Sequence, residues 1–273
     1  MLFSKGANIC SNCWLAQGMA VEINFDGIPR DLALESAELF LERIPVDKNI
    51  QKNINRRKKM LLADMDSTIL QIETLDVIGH AIGKAREIAE ITEKAMNGDI
   101  DFEAALKNRV KLLAGVNINQ LIEFVLEKLL ITQGANTLVK TMKANGATTA
   151  LVSGGFTVIT EIIREKLNFD LCYGNTLSVD SSIVTGNLKP PIIDGDAKAA
   201  ILDQECEKLE ISKNDTLAVG DGANDIPMLT NAGLGVGFRP KPVVKNYASN
   251  IIEHCDLRGI LFLQGFSESE FLT

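Results

Sequence analysis

An alternation that begins at Met60, of short apolar runs separated by amphipathic stretches, constrains this chain more than any other feature. Residues 60–63, 147–152, 216–219 and 233–236 read as strands, and the segments between them carry apolar residues at helical spacing. Strands that alternate with helices build a parallel sheet with helices packed on its faces. The first two runs stand about eighty residues apart, roughly 67 to 146, too far for one crossover helix. An inserted helical subdomain is expected there. Its patterns include residues 85–96 and a face made of Phe102, Ala105, Leu106, Arg109 and Leu113. Arg109 interrupts that apolar stripe; taken alone it reads as a cation snorkelling to solvent.

Residues 175–188 alternate apolar and polar side chains around Asp180-Ser181-Ser182, the pattern of a β-hairpin. Residues 1–55 differ in character, with a strand pattern at 19–24, a helical stretch at 32–41 and then Ile44-Pro45, which suggests a small β-α-β piece. The basic run Arg56-Arg57-Lys58-Lys59 is expected to be a solvated linker at a domain boundary.

The formal charge of −8 weighs against a nucleic-acid-binding surface, which carries an excess of Lys and Arg. No apolar run has the length to span a bilayer, and the N-terminus lacks a leader pattern, so a cytoplasmic protein is expected. Cys10, Cys13, Cys172, Cys206 and Cys255 are scattered and odd in number, unlike a secreted disulfide framework. Cys10 and Cys13 form a C-x-x-C pair, but zinc needs two further ligands and the histidines are His80 and His254 alone. Free thiols are the expectation.

Carboxylates fall in two groups at strand ends: Asp64 and Asp66 after the first strand, Asp221 and Asp225 after the third. Open parallel sheets bind ligands beyond the carboxyl ends of their strands, so both groups face one crevice. Such a concentration of like charge calls for a cation. All-oxygen ligands select magnesium or calcium, and magnesium suits a few carboxylates completed by water and phosphate. Ser153-Gly154-Gly155 precedes a helix at 157–167, where exposed N–H groups can hold phosphate. Lys198, near the start of a helix at 197–209, can neutralise a phosphate and an attacking carboxylate.

Asp64-Met65-Asp66-Ser67-Thr68, Ser153-Gly154-Gly155, Lys198 and Gly220-Asp221-Gly222-Ala223-Asn224-Asp225, in that order, resemble the four motifs of haloacid-dehalogenase-like phosphatases. The likeness runs from about residue 60 to 263 and is closest to members that hydrolyse phosphoserine. It implies a Rossmann-like α/β fold: a parallel sheet flanked by helices, a helical cap inserted at about 73–137 of a catalytic domain at 56–273, and a small α+β extension at 1–55. Some members carry a ferredoxin-like (ACT-like) domain in front, of which 1–55 would be a truncated form. The resemblance implies Asp64 as nucleophile and Asp66 as general acid/base. Mg2+ would be held by Asp64, the Asp66 backbone carbonyl and Asp221, with Asp225 in support. Ser153, Gly154 and Lys198 would cradle the phosphoryl group. In the cap, Glu73 would receive the substrate ammonium and Arg109 its carboxylate, Met96 and Phe102 would close over the substrate, and Asn224 would orient it. The expected partner is phosphoserine alone, in the last step of serine biosynthesis, with the protein a monomer or homodimer. Transfer of the phosphoryl group to another alcohol, and a non-catalytic phosphoacceptor regulator, are the competing readings.

Overall fold

The computed structural model describes residues 2–96 and 99–273. The first apolar run becomes β3 (Met60–Ala63), buried along its whole length at the centre of a seven-stranded sheet. Strands β1 (Asn8–Ala16) and β2 (Ala20–Asp26) form a separate antiparallel pair, followed by α1 (Arg30–Phe40). The N-terminal segment thus runs β-β-α, and not β-α-β. The polar, exposed residues of β1 give no burial pattern from which a strand can be read.

After β3 come α2 (Thr74–Ala81), α3 (Ala85–Met96), α4 (Phe102–Lys111) and α5 (Ile118–Lys128). Then α6 (Ala135–Ala144) leads into β4 (Thr148–Phe156), α7 (Thr157–Leu167), β5 (Leu171–Asp180) and β6 (Ile183–Lys189). The chain closes with α8 (Gly195–Leu209), β7 (Thr216–Gly220), α9 (Ile226–Asn231), β8 (Leu234–Phe238), β9 (Asn250–Ile252) and α10 (Gly259–Leu263). The large sheet has the order β6-β5-β4-β3-β7-β8-β9, parallel except for the β5–β6 hairpin.

The chain leaves and re-enters the sheet layer at one place. The Gln71 N–H donates to the Leu130 carbonyl at 2.8 Å and the Thr132 N–H to the Ile69 carbonyl at 2.9 Å, a short antiparallel neck below α2–α5. On the far side, the Gly115 N–H donates to Val184 O and the Ile118 N–H to Ser182 O, which tie the α4–α5 turn to the β5–β6 hairpin. Asp101 caps α4 by accepting from the Ala104 N–H at 2.7 Å. Leu106, Val110, Leu113 and Leu121 enter the same core as Leu61 and Leu151, so the helices share the sheet's apolar interior. Burial of that kind supplies most of a helix's stability in a protein.

The basic run is not a solvated linker. Arg56 pairs with Glu22 and donates to the Leu263 carbonyl, Arg57 pairs with Glu270 and lies 4.1 Å from the Phe266 ring centroid, Lys58 donates to Asn214 O and Lys59 to Asp215. Arg56 and Arg57 staple β2 and the C-terminal region to the segment before β3, and Lys58 and Lys59 hold it to the turn before β7. Among the described residues, no helix is long and apolar enough to cross a membrane.

Candidate active site

β3, β4 and β7 are neighbours in register, so the loops at their carboxyl ends meet over the middle of the sheet. The Asp64 N–H donates to the Val219 carbonyl at 2.9 Å, which holds its side chain opposite the loop after β7. Carboxylate oxygens of Asp64, Asp221 and Asp225, all three residues buried, lie within 4.8 Å of one another. Lys198, with no exposed surface, donates to Asp64 Oδ1 at 2.5 Å and to Asp225 Oδ1 at 2.7 Å. The other Asp225 oxygen accepts the N–H groups of Asp221 and Gly222 at 3.1 and 3.0 Å, which locks the loop. Gly220 is required there: a Cβ on it would stand 2.3 Å from Asp225 Cγ.

The haloacid dehalogenase-like hydrolase family model matches residues 61–230, the span from β3 to α9 that carries all of these side chains. The chain belongs to the haloacid dehalogenase-like hydrolase family. A probable phosphoserine phosphatase of Schizosaccharomyces pombe is 38% identical over 244 residues, 86% of this chain and 82% of that protein. Two solved structures are similar as well. A phospho-aspartyl intermediate analogue of phosphoserine phosphatase has a TM-score of 0.70 and 39% identity, covering 76% of this chain and 98% of its own. A substrate-bound phosphoserine phosphatase complex has a TM-score of 0.70 and 38% identity, covering 75% and 97%.

Phosphatases of the haloacid dehalogenase-like family use a metal ion, and the charge balance of this site fits one. Three buried carboxylates face one buried ammonium, which leaves about two negative charges without a buried counter-ion. Burial, then the charge of Asp225, pushes Asp64 well above the usual carboxylate range, against the pull of Lys198. Burial raises Asp221 too. Burial by itself would lower Lys198, but Asp225 and Asp64 outweigh it and hold the ammonium above its ordinary value. An oxygen-only donor set with this deficit is suited to a hard divalent cation.

Asp66 is half-buried. Its Oδ1 accepts from the Thr74 N–H at 3.2 Å and its Oδ2 from Thr74 Oγ1 at 3.0 Å. Burial, then the charge of Glu73, raises its pKa to about 7, with the Thr74 bonds opposing. Asp66 and Ser153 meet at Gly155, where a Cβ would lie 3.1 Å from Asp66 Oδ2 and 3.0 Å from Ser153 Oγ. Ser153 Oγ accepts from the Gly155 N–H at 2.8 Å, and the residue before α7 makes no side-chain capping hydrogen bond, an arrangement suited to an anion at the helix start. A Cβ on Gly154 would touch Phe102 at 3.2 Å, which places that ring, from the start of α4, directly over the glycine turn.

Glu73 precedes α2; its Oε1 accepts from Ser67 Oγ at 2.7 Å. Arg109 is half-buried, its Nε donating to the Ala105 carbonyl at 3.4 Å, and its charge is felt by Asp76 and Glu73. The structure thus gathers Asp64, Asp66, Ser153, Gly154, Lys198 and Asp221 at the strand ends, with Glu73 and Phe102 beside them from the inserted segment and Arg109 within electrostatic reach of Glu73. Asn224 is half-buried in the loop after β7, its carbonyl against the start of α8. The Met96 side chain lies outside the described residues.

Three further residues belong to this constellation; Thr68 stands at the end of the first motif, while Thr74 and Lys241 have no motif in the reading of the sequence. Thr68 Oγ1 donates to Asp221 Oδ1 at 3.4 Å, Thr74 holds Asp66, and the Lys241 ammonium lies 3.3 Å from Asp221 Oδ2. A signal for Thr74 was present: a hydroxyl residue at the first turn of a helix that follows an acidic loop.

Proposed function

We propose that this chain is a magnesium-dependent phosphoserine phosphatase, which converts O-phospho-L-serine and water to L-serine and inorganic phosphate through an aspartyl phosphate. One observation carries the reading. A buried carboxylate held by a buried lysine, Asp64 with Lys198, stands two residues before a second carboxylate, Asp66, whose pKa of about 7 suits proton transfer at neutral pH. The likeness to phosphoserine phosphatases over most of the chain selects the substrate.

Lys198 occupies Asp64 Oδ1, so Oδ2 is the oxygen that attacks phosphorus in line. Asp66, protonated, gives its proton to the departing seryl oxygen and then accepts one from the water that attacks the aspartyl phosphate. The Ser153 and Gly154 turn, the N-terminal end of α7 and the Lys198 ammonium stabilise charge on the phosphoryl oxygens. Asp64 and Asp221, with the Asp66 carbonyl, would hold Mg2+, which would supply Lewis acidity and charge neutralisation there; Asp225 fixes Asp221 and Lys198. Glu73 receives the substrate ammonium and Arg109 its carboxylate, a complementary pair for a zwitterion. Phe102, with Met96, closes over the bound ester, and Asn224 steadies it. A cap at about 73–137, hinged on the antiparallel neck, excludes bulk water during phosphorylation. Residues 1–55 belong to an ACT-like extension outside this chemistry, and the enzyme acts in the cytoplasm on the last step of serine biosynthesis.

The test is phosphate release from phosphoserine, phosphothreonine and a sugar phosphate, with magnesium or EDTA, by the wild type and Asp64→Asn. Rapid release from phosphoserine that needs both magnesium and Asp64 is expected. Better release from the sugar phosphate would overturn the substrate, and no release from any ester would overturn the activity.

A further inference from the structure

Lys241 stands in a position that the reaction scheme does not use. It sits between Pro240 and Pro242 in the loop after β8, and its N–H donates to the Asp221 carbonyl at 2.8 Å. The two pyrrolidine rings restrict the backbone on both sides, so the base of the side chain is fixed over the crevice. From there the ammonium lies 3.3 Å from Asp221 Oδ2 and 3.8 Å from Glu73 Oε1. It therefore joins a residue of the sheet layer to one at the foot of the inserted helices.

Glu73 needs such a partner. Its side chain is 44% exposed, and an exposed glutamate otherwise samples several rotamers that a ligand must freeze. Both Ser67 and Lys241 approach the same oxygen, Oε1. Among the described residues, Oε2 takes no hydrogen bond or ion pair, and is the oxygen left for an incoming cation. Ser67 is itself held with a positive φ of 55°, its N–H donating to the Ile72 carbonyl, so the hydroxyl side of the clamp is rigid as well. The charge of Lys241 is matched by Asp221 and does not simply cancel that of Glu73.

We propose that Lys241 is a positioning residue for substrate selection: together with Ser67 it pins one oxygen of Glu73 and presents the other to the ammonium group of the substrate. This rests on the assignment of Glu73 as the ammonium-binding carboxylate made above. Pre-organisation of this kind strengthens binding by removing an ordering cost, without adding a contact to the ligand.

The experiment compares wild type, Lys241→Met and Lys241→Arg at saturating magnesium, measuring kcat and KM for phosphoserine and the inhibition constant for inorganic phosphate, which has no ammonium. Wild-type turnover of phosphoserine tests the underlying reading separately. Expected for Lys241→Met is a KM for phosphoserine raised about three- to tenfold, the size of one lost ordering contact, with kcat within about twofold and phosphate inhibition unchanged. Arginine, which keeps the charge and reach, restores KM to within about twofold of wild type. An equal weakening of phosphoserine and phosphate, or a raised magnesium requirement with KM for phosphoserine unchanged, would overturn the proposal and place Lys241 in the service of the phosphoryl or metal site. An unchanged KM in a folded Lys241→Met protein would overturn it as well.

Discussion

Lys198→Met separates the buried ion network from everything else in the site. Lys198 has no exposed surface, and its two partners, the Asp64 and Asp225 side chains, are 7% and 0% exposed. Methionine fills much of the same volume, so the loss is electrostatic: two carboxylates keep their burial and lose the only buried cation between them. Removing one partner of a buried pair costs about 3–5 kcal/mol. At roughly 2–4 °C per kcal/mol for a chain of this size, the midpoint should fall by about 6–20 °C. The deficit must depend on pH with a definite sign. Asp64 is already held well above its ordinary value by burial, and loss of Lys198 moves it further in that direction. A carboxyl whose folded pKa lies above its unfolded value favours the fold at low pH, and that contribution is lost as pH rises through the folded value. The difference between wild type and Lys198→Met should thus be small near pH 4 and largest above neutrality. Chemical denaturation in EDTA at pH 5 and pH 8 measures it. A deficit below about 1 kcal/mol at pH 8, or one that shrinks as pH rises, would refute the network as described. Lys198→Met with Asp225→Asn should regain part of the loss, since one of the stranded charges is gone.

With Asp66 as the proton donor proposed above and a pKa of about 7, the rate of aspartyl phosphorylation should decline above about pH 7, read from a single-turnover pH profile. Thr74→Val keeps the backbone N–H bond and removes the hydroxyl hydrogen bond that favours the ionised form, and should move that decline to higher pH; an unmoved profile would exclude Asp66 as its origin. Gly220→Ala drives a methyl into the Asp225 carboxylate and should destabilise the fold by about 1–3 kcal/mol while raising the magnesium needed for activity, measured by denaturation and metal titration.

The clustering of the motif residues was legible because they are covalent neighbours of strands that announce themselves by hydrophobic pattern. Once residues 60–63 and 216–219 read as parallel strands, Asp64, Asp66, Asp221 and Asp225 had to project past the same sheet edge, and the acidic cluster implied a cation. The β5–β6 hairpin and the helical insertion followed from period and spacing in the same way. The N-terminal β-β-α order was not legible. β1 carries Asn8, Ser11, Asn12 and two cysteines, is exposed over most of its length, and owes its conformation to pairing with β2.

What the sequence determined by itself, then, is local: which stretches bury both faces, where they stop, and which polar groups stand at the stops. What only the tertiary structure decided is partnership across the fold. Lys241 lies in a proline-flanked loop twenty residues beyond Asp221, where a lysine ordinarily faces solvent. Only the placement of β8 beside β7 brings its ammonium to Asp221, and only the neck at residues 69–71 and 130–132 brings Glu73 to meet it. The basic run at 56–59 was misread for the same reason: its partners Glu22, Asn214, Phe266 and Glu270 are distant in the chain. Ion pairs and hydrogen bonds act over a few ångströms, and sequence records separation along the backbone, so such pairings exist only once the sheet order has folded the distance away.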